Sequence, residues 1–302
     1  MRKNLIVILG ATASGKTKLA VRLAAELGGE IISADSRQVY RGMNIGTGKD
    51  IDEYIVDGRK IKYHMIDVIE PEEEFSLFDY QRDFYEIFMK LTQENTLPVM
   101  VGGTGLYLEA VLAAYDLPFA PKNEKLRKEL GEKTEEELRA LLLSLKPLVH
   151  NKTDLEDRAR LIRAIEIEMT RNKTGFSGKK PYIDAAVFGI RWERDMLRKR
   201  ITRRLEERLA GGMVEEVAQL HEKGVAWSRL ENFGLEYKFI AMYLQEKIGF
   251  QEMKSKLNTA IHQFAKRQET WFRRMERKGI VINWIDGDDY HMLKEGALKQ
   301  LS

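Results

Sequence analysis

Apolar positions run in short unbroken stretches along the first third of the chain. Leu5-Ile6-Val7-Ile8-Leu9 reads as a buried strand that stops at Gly10. A helix is predicted over residues 15–27, closed by Gly28-Gly29, since glycine readily takes the left-handed turn that ends a helix. Residues 30–34 form a second short strand with Asp35 at its end, and residues 61–68 read as another. Residues 76–94 have the spacing of an amphipathic helix, and residues 97–101 form a buried strand closing on Gly102-Gly103-Thr104-Gly105. Strand, glycine turn and helix therefore recur, which predicts an α/β fold with a parallel sheet and flanking crossover helices.

From about Pro118 the pattern changes. Pro118 and Pro121 break the chain, and a charged, helical stretch follows to about Arg171, with a leucine-rich run at 138–145. Residues 173–181 read as an exposed basic loop, and 185–190 as a strand again. Long helices are expected from Glu193 to about Met275, with a last strand at 280–285. The expected organisation is a core of residues 1–117 and 185–302, interrupted by a helical insertion at 118–184.

Composition narrows the class. Hydrophobic residues make up 43% of the 302, enough for a sizeable core. The absence of cysteine excludes disulfides and thiolate metal sites. No apolar run approaches the roughly 20 residues that span a bilayer, and the N-terminal stretch is too short for a signal peptide. A cytoplasmic protein without membrane contact is expected. The net charge of +3 conceals a polarity: residues 1–120 sum to about −5, whereas 191–280 hold 20 Lys/Arg against 13 Asp/Glu. Such a basic half suits a polyanion such as nucleic acid, or else a set of solvated helical faces.

Gly10-Ala11-Thr12-Ala13-Ser14-Gly15-Lys16-Thr17 fits G-x-x-x-x-G-K-[ST] between a predicted strand and helix, the context that makes a P-loop credible. Its backbone N–H groups and the helix dipole converge on phosphate oxygens, Lys16 adds a cation, and the Thr17 hydroxyl is placed to ligate Mg²⁺. Nucleotide binding is the default for such a loop, so an ATP-binding kinase or ATPase is the first reading. No aliphatic run ends convincingly in a metal-binding Asp, His64-Met65-Ile66-Asp67 being the nearest. Asp35 stands out instead, because residues at the carboxyl ends of such strands face the ligand crevice. It could be a general base, a metal partner or the cap of a turn.

Three segments carry a resemblance together with the P-loop: Asp35-Ser36-Arg37-Gln38-Val39-Tyr40 with its continuation to Thr47, Val101-Gly102-Gly103-Thr104-Gly105-Leu106-Tyr107, and Phe264-Ala265-Lys266-Arg267-Gln268-Glu269-Thr270-Trp271-Phe272. In this order they resemble the tRNA dimethylallyltransferase family of bacterial type. The resemblance implies transfer of a dimethylallyl group from dimethylallyl diphosphate to the exocyclic N6 amine of the adenosine 3′ of the tRNA anticodon, with Mg²⁺ as cofactor. It implies that the P-loop grips the isoprenoid diphosphate, that Asp35 takes the amine proton, and that Arg204 contacts the leaving pyrophosphate. Asp35, Ser36, Arg37, Gln38 and Thr104 match the segments that meet the tRNA. Lys266 and Arg267 are expected to contact the RNA, or else to belong to a solvated basic helix around a core Trp271. In the insertion Arg127, Arg160 and Arg163 match tRNA contacts, although Ala159 stands where the family motif has Gln. Ile261-His262 likewise replaces a common Thr-Arg pair. A monomer acting on the anticodon arm is expected.

Two other functions share parts of this pattern: an isopentenyltransferase acting on free adenine nucleotides, and a P-loop RNA-binding nucleotide switch without transfer chemistry. His64, His150 and His221 have no cysteine or carboxylate cluster at ligand spacing, so no metal role is expected of them. Tyr40, Tyr80 and Tyr107 read as core or pocket-wall aromatics.

Overall fold

The computed structural model describes residues 3–146, 157–170 and 180–302. His150 and residues 173–179 of the expected basic loop lie outside them. The chain divides into two compact units, one of residues 1–114 with 181–302 and one of residues 115–180. The sequence placed those divisions at 117/118 and 184/185.

The larger unit is built on a parallel six-stranded sheet. Its strands are β1 (Leu5–Gly10), β2 (Gly29–Ser33), β5 (Tyr63–His64), β6 (Leu97–Gly102), β7 (Ala185–Arg191) and β8 (Asn283–Asp286), in the order β5-β2-β6-β1-β7-β8. Strands β3 (Ile55–Val56) and β4 (Arg59–Lys60) form a separate antiparallel pair. Every residue of β1 is buried, and successive side chains point to opposite faces. Leu5, Val7 and Leu9 join one core with helices α2 (Leu77–Gln93) and α3 (Gly105–Leu112). Ile6 and Ile8 join another with α1 (Lys16–Leu27). A strand covered on both faces must be apolar at every position, which is why β1 shows no alternation.

The sheet order separates the P-loop strand from the strand that ends before Asp35. β6 pairs with β1 through Ile6↔Val99 and with β2 through Ile31↔Val99. The glycine turn after β6 therefore stands between the P-loop and Asp35. A Cβ built on Gly102 would lie 2.2 Å from the Ala34 carbonyl oxygen, so the two chain ends meet only because this residue has no side chain. Gly102→Ala is expected to destabilise the protein by about 2–4 kcal/mol, a large effect for one methyl group. An unchanged urea midpoint would show that the two strands can part at no cost.

The expected strand at residues 61–68 contracts to Tyr63–His64, because Met65 and Asp67 take positive φ angles of 64° and 55°. His64 Nε2 and Glu30 Oε2 approach to 2.6 Å there. The expected last strand begins at Asn283, and the tail beyond it forms a helix, Tyr290–Leu301, not foreseen from the sequence. Its Leu293 and Ala297 pack into the α1 side of the core.

The basic half divides into five helices, α7 (Arg194–Ala210), α8 (Met213–Glu222), α9 (Trp227–Asn232), α10 (Leu235–Leu244) and α11 (Phe250–Arg277). Their apolar faces share a third core with Val39, Tyr40 and Met43, which draws the segment after Asp35 against them. In the smaller unit, α4 (Glu124–Gly131), α5 (Glu135–Leu145) and α6 (Arg158–Thr170) enclose Leu130, Leu138, Leu142, Leu161 and Ile165. A capping box of Thr134 with Glu137 starts α5. No helix among the described residues is long and apolar enough to cross a membrane.

Candidate active site

The P-loop joins β1 to α1 through left-handed turns at Ala13 (φ 61°) and Gly15 (φ 85°). Its outward carbonyls are held from behind. The indole of Trp192 donates to Ser14 O at 2.9 Å, and Arg200 Nε donates to Ala13 O at 2.9 Å while lying 4.2 Å from the Trp192 ring centre. Thr12 N donates to Gln268 Oε1 at 2.8 Å, and Gln268 Nε2 donates to Gly103 O at 2.9 Å. One amide from α11 thus ties the P-loop to the glycine turn. With the Ala13 and Ser14 carbonyls held by side chains and the Thr12 amide engaged by Gln268, the N-terminus of α1 is left for an anion.

Lys16 and Thr17 line a cavity of about 1080 Å³, and Asp35, Ser36, Arg37, Thr104 and Arg204 line it too. Burial lowers the Lys16 ammonium to about pKa 8, with the Arg204 charge acting in the same direction and Asp35 opposing it. A bound phosphate group would favour the charged form. Asp35 Oδ1 accepts from Arg37 N at 2.9 Å, so its backbone forms a tight turn. The Ser36 amide donates to Thr104 Oγ1 at 3.0 Å, and Thr104 N to Ala34 O at 3.1 Å. The capping role weighed for Asp35 and a place in the cavity are both met by the one carboxylate. Gln38 is buried: its amide donates to Gly48 O at 2.9 Å and accepts from Ser33 Oγ at 2.8 Å. In this structure Gln38 braces the loop that follows.

That loop is fastened at several points. Buried Lys49 donates to Tyr40 O at 2.7 Å, to Asn44 Oδ1 and to Asp67. Asp67, the nearest approach to a metal-binding Asp in the sequence, is thus a lysine partner. Glu216 of α8 accepts from three successive amides, Asn44, Ile45 and Gly46, and from the Tyr237 hydroxyl at 2.7 Å.

The fastened loop brings Asp50 to α7, where Arg200, Arg204 and Arg208 recur at four-residue spacing. Asp50 accepts from both Arg204 and Arg208, and although burial raises its pKa, the two arginines bring it below the ordinary value. Burial raises the carboxyls of Glu53 and Glu236 in the same cavity. The sequence reading missed Asp50, Glu53, Arg208 and Glu236. Isolated charges carry no signal in a chain that is 32% charged, though the arginine periodicity on α7 could have marked Arg208.

Both members of the α11 pair are exposed; Arg267 lines the cavity near Phe264 and Lys266 does not. In the smaller unit Arg160 is exposed on α6. Arg127 and Arg163 both bond to Glu166, which is fully buried. Burial pushes that carboxyl up, but donors from Arg127, Asn123 N and Arg163 outweigh it and bring the pKa to about 2. Both arginines therefore help hold the unit together through one carboxylate.

Known proteins share this architecture and sequence. The family model described as IPP transferase matches residues 38–275, and one described as isopentenyl transferase matches residues 3–70. A relative named tRNA dimethylallyltransferase 1 from Syntrophus aciditrophicus is 55% identical, over 98% of this chain and 97% of its own length. The crystal structure of a tRNA isopentenylpyrophosphate transferase from Bacillus halodurans is similar over 99% of this chain and 98% of its own, with a TM-score of 0.68 and 30% identity. A eukaryotic dimethylallyltransferase solved acting on tRNA shares the fold with a TM-score of 0.76 at 22% identity, over 99% of this chain and 77% of its own. A P-loop facing a glycine turn and a strand-end carboxylate, with a family model covering most of the chain, places this protein in the IPP transferase family.

Proposed function

We propose that this protein transfers a dimethylallyl group from dimethylallyl diphosphate to tRNA, at N6 of the adenosine 3′ of the anticodon, acting as a cytoplasmic monomer and releasing pyrophosphate. The observation that carries the reading is one cavity lined both by Lys16 and Thr17 of the P-loop and by Asp35. Small-molecule sites commonly measure about 300–1,000 Å³, so about 1080 Å³ accommodates a donor together with an extruded base.

In this reading the P-loop amides, Lys16 and Arg204 hold the diphosphate. The adenine N6 lone pair attacks the allylic carbon, the C–O bond breaks, and its electron pair leaves on pyrophosphate. Asp35 accepts the amine proton, which removes the positive charge that alkylation puts on nitrogen. Negative charge grows on the leaving group, so Lys16 and Arg204 bind the transition state more tightly than the donor. Among the described residues no group of three or more His, Asp or Glu could hold a metal ion. The Thr17 hydroxyl, a hard oxygen donor at the start of α1, would hold Mg²⁺. The ion when bound supplies charge stabilisation to the leaving group.

The basic helices supply the electrostatic part of tRNA binding. Affinity for tRNA is expected to fall steeply with salt, and changing Lys266 and Arg267 together to Ala should lower the log–log slope by about one to two, through the counterions no longer released. Binding of dimethylallyl diphosphate should be unchanged in Lys266→Ala alone, because Lys266 does not line the cavity. A salt-insensitive tRNA affinity would place the RNA elsewhere. The reaction itself is tested by mass spectrometry of tRNA nucleosides after incubation with dimethylallyl diphosphate. A gain of one dimethylallyl mass on adenosine is expected, and modification of free AMP with tRNA untouched would assign the protein to the nucleotide-acting enzymes.

A further inference from the structure

We infer that Arg208 is a second ligand of the diphosphate, held beside Arg204 by Asp50. The inference rests on the diphosphate reading of the cavity and adds to it a residue outside the P-loop and Arg204.

Arg208 lies one helical turn beyond Arg204 on the same face of α7, and both line the cavity with Lys16 and Thr17. Its side chain is only 13% exposed. A guanidinium withdrawn that far from water needs anionic partners. Its hydrogen-bonded carboxylate is Asp50, reached from Nη2 at 3.3 Å, and Asp50 also serves Arg204. One carboxylate between two guanidinium groups leaves positive charge over. Glu53 and Glu236 line the same cavity, but among the described residues the carboxylate within ion-pair distance of Arg208 is that of Asp50. A diphosphate with several anionic oxygens is the ligand class that can engage both guanidinium groups, each through its fork of N–H donors.

The backbone is shaped around this pair. A Cβ on Gly48 would fall 1.8 Å from Arg208 Nη2 and 2.7 Å from Arg204 Nη2, so the two guanidinium groups occupy the space that a side chain at residue 48 would take. Asp50 holds its carboxylate there at φ 44°, a left-handed conformation that costs a residue with a side chain some strain. The same two arginines depress Lys16, which places all three cations in one field.

The test is calorimetric titration of inorganic pyrophosphate into the full-length protein as wild type, Arg208→Met, Arg208→Lys, Arg204→Met and Lys16→Ala, with tRNA affinity measured in parallel. Arg208→Met should weaken pyrophosphate binding about tenfold or more, the size of a lost charge-assisted contact, and leave tRNA affinity within about twofold. Arg208→Lys keeps the charge and the packing but loses the fork, and should weaken it at least about threefold. That variant decides the matter if Met does not fold, as judged by thermal melting. Pyrophosphate affinity within twofold of wild type in the folded Arg208 variants, alongside losses in Lys16→Ala and Arg204→Met, overturns the role of Arg208 alone. Wild-type pyrophosphate binding in Lys16→Ala as well would remove the diphosphate reading beneath it.

Discussion

Asp35→Asn is expected to leave both substrates bound while turnover falls by about 10²–10⁴, the usual span for a lost general base. The amide keeps the size of the carboxylate and its acceptor oxygen, so the hydrogen bond from Arg37 N can persist and the turn after β2 should stand. What disappears is a site for the proton that N6 must shed as it bonds to the allylic carbon. Single-turnover rates at saturating tRNA and donor separate this from a binding defect. If Asp35 acted only as the cap of its turn, Asn would cap about as well. A near-normal rate for the Asn variant would therefore end the general-base assignment and leave the P-loop argument intact.

Lys16→Ala should cost about 10²–10³ in the rate of C–O cleavage, comparable with removing one preorganised donor from a developing anion. Its pH dependence gives a second, sharper reading. Burial and Arg204 bring the ammonium to about pKa 8, and a bound diphosphate favours the charged form. Below pH 8 the lysine enters binding already protonated. Above it, binding must first recover a proton, so pyrophosphate affinity should fall up to about tenfold per unit until the pKa of the bound state is reached. Lys16→Arg cannot lose its proton in this range and should flatten the Lys16 component. Equal pH profiles for wild type and the Arg variant would mean that Lys16 does not face the diphosphate.

The elements read correctly from the chain are those whose signal is local. Leu5–Leu9 must be a buried strand because five successive aliphatic residues leave no polar face, and β1 is buried on both sides. Glycines at 10 and 15 with Lys16 and Thr17 mark the loop because its turns are made by adjacent residues, although Trp192, Arg200 and Gln268 brace it from afar. The charged leucine-rich texture after Pro118 announced a helical stretch for the same reason: Leu138 and Leu142 of its small core stand four residues apart, at helical spacing. Short edge elements were misjudged. Residues 61–68 are apolar enough for a strand, yet positive φ at Met65 and Asp67 stops pairing after two residues.

Contacts across long stretches of chain had no such signature. Nothing near Asp50 in sequence indicates that its partners lie more than 150 residues away on α7. Glu216 looks like any solvated helix residue until the fold brings three amides of the Asn44–Gly46 segment to it. Gln268 is one letter of a motif, but only folding shows it joining the P-loop to the turn after β6. The sheet order itself, with β6 between β1 and β2, follows from how crossovers pack rather than from any strand's own residues. Local geometry is set by steric and hydrogen-bond preferences within a few residues. Which distant charges share a cavity depends on how whole faces bury, and that is why the strand, glycine loop and helix were readable in the chain and their ionic surroundings were not.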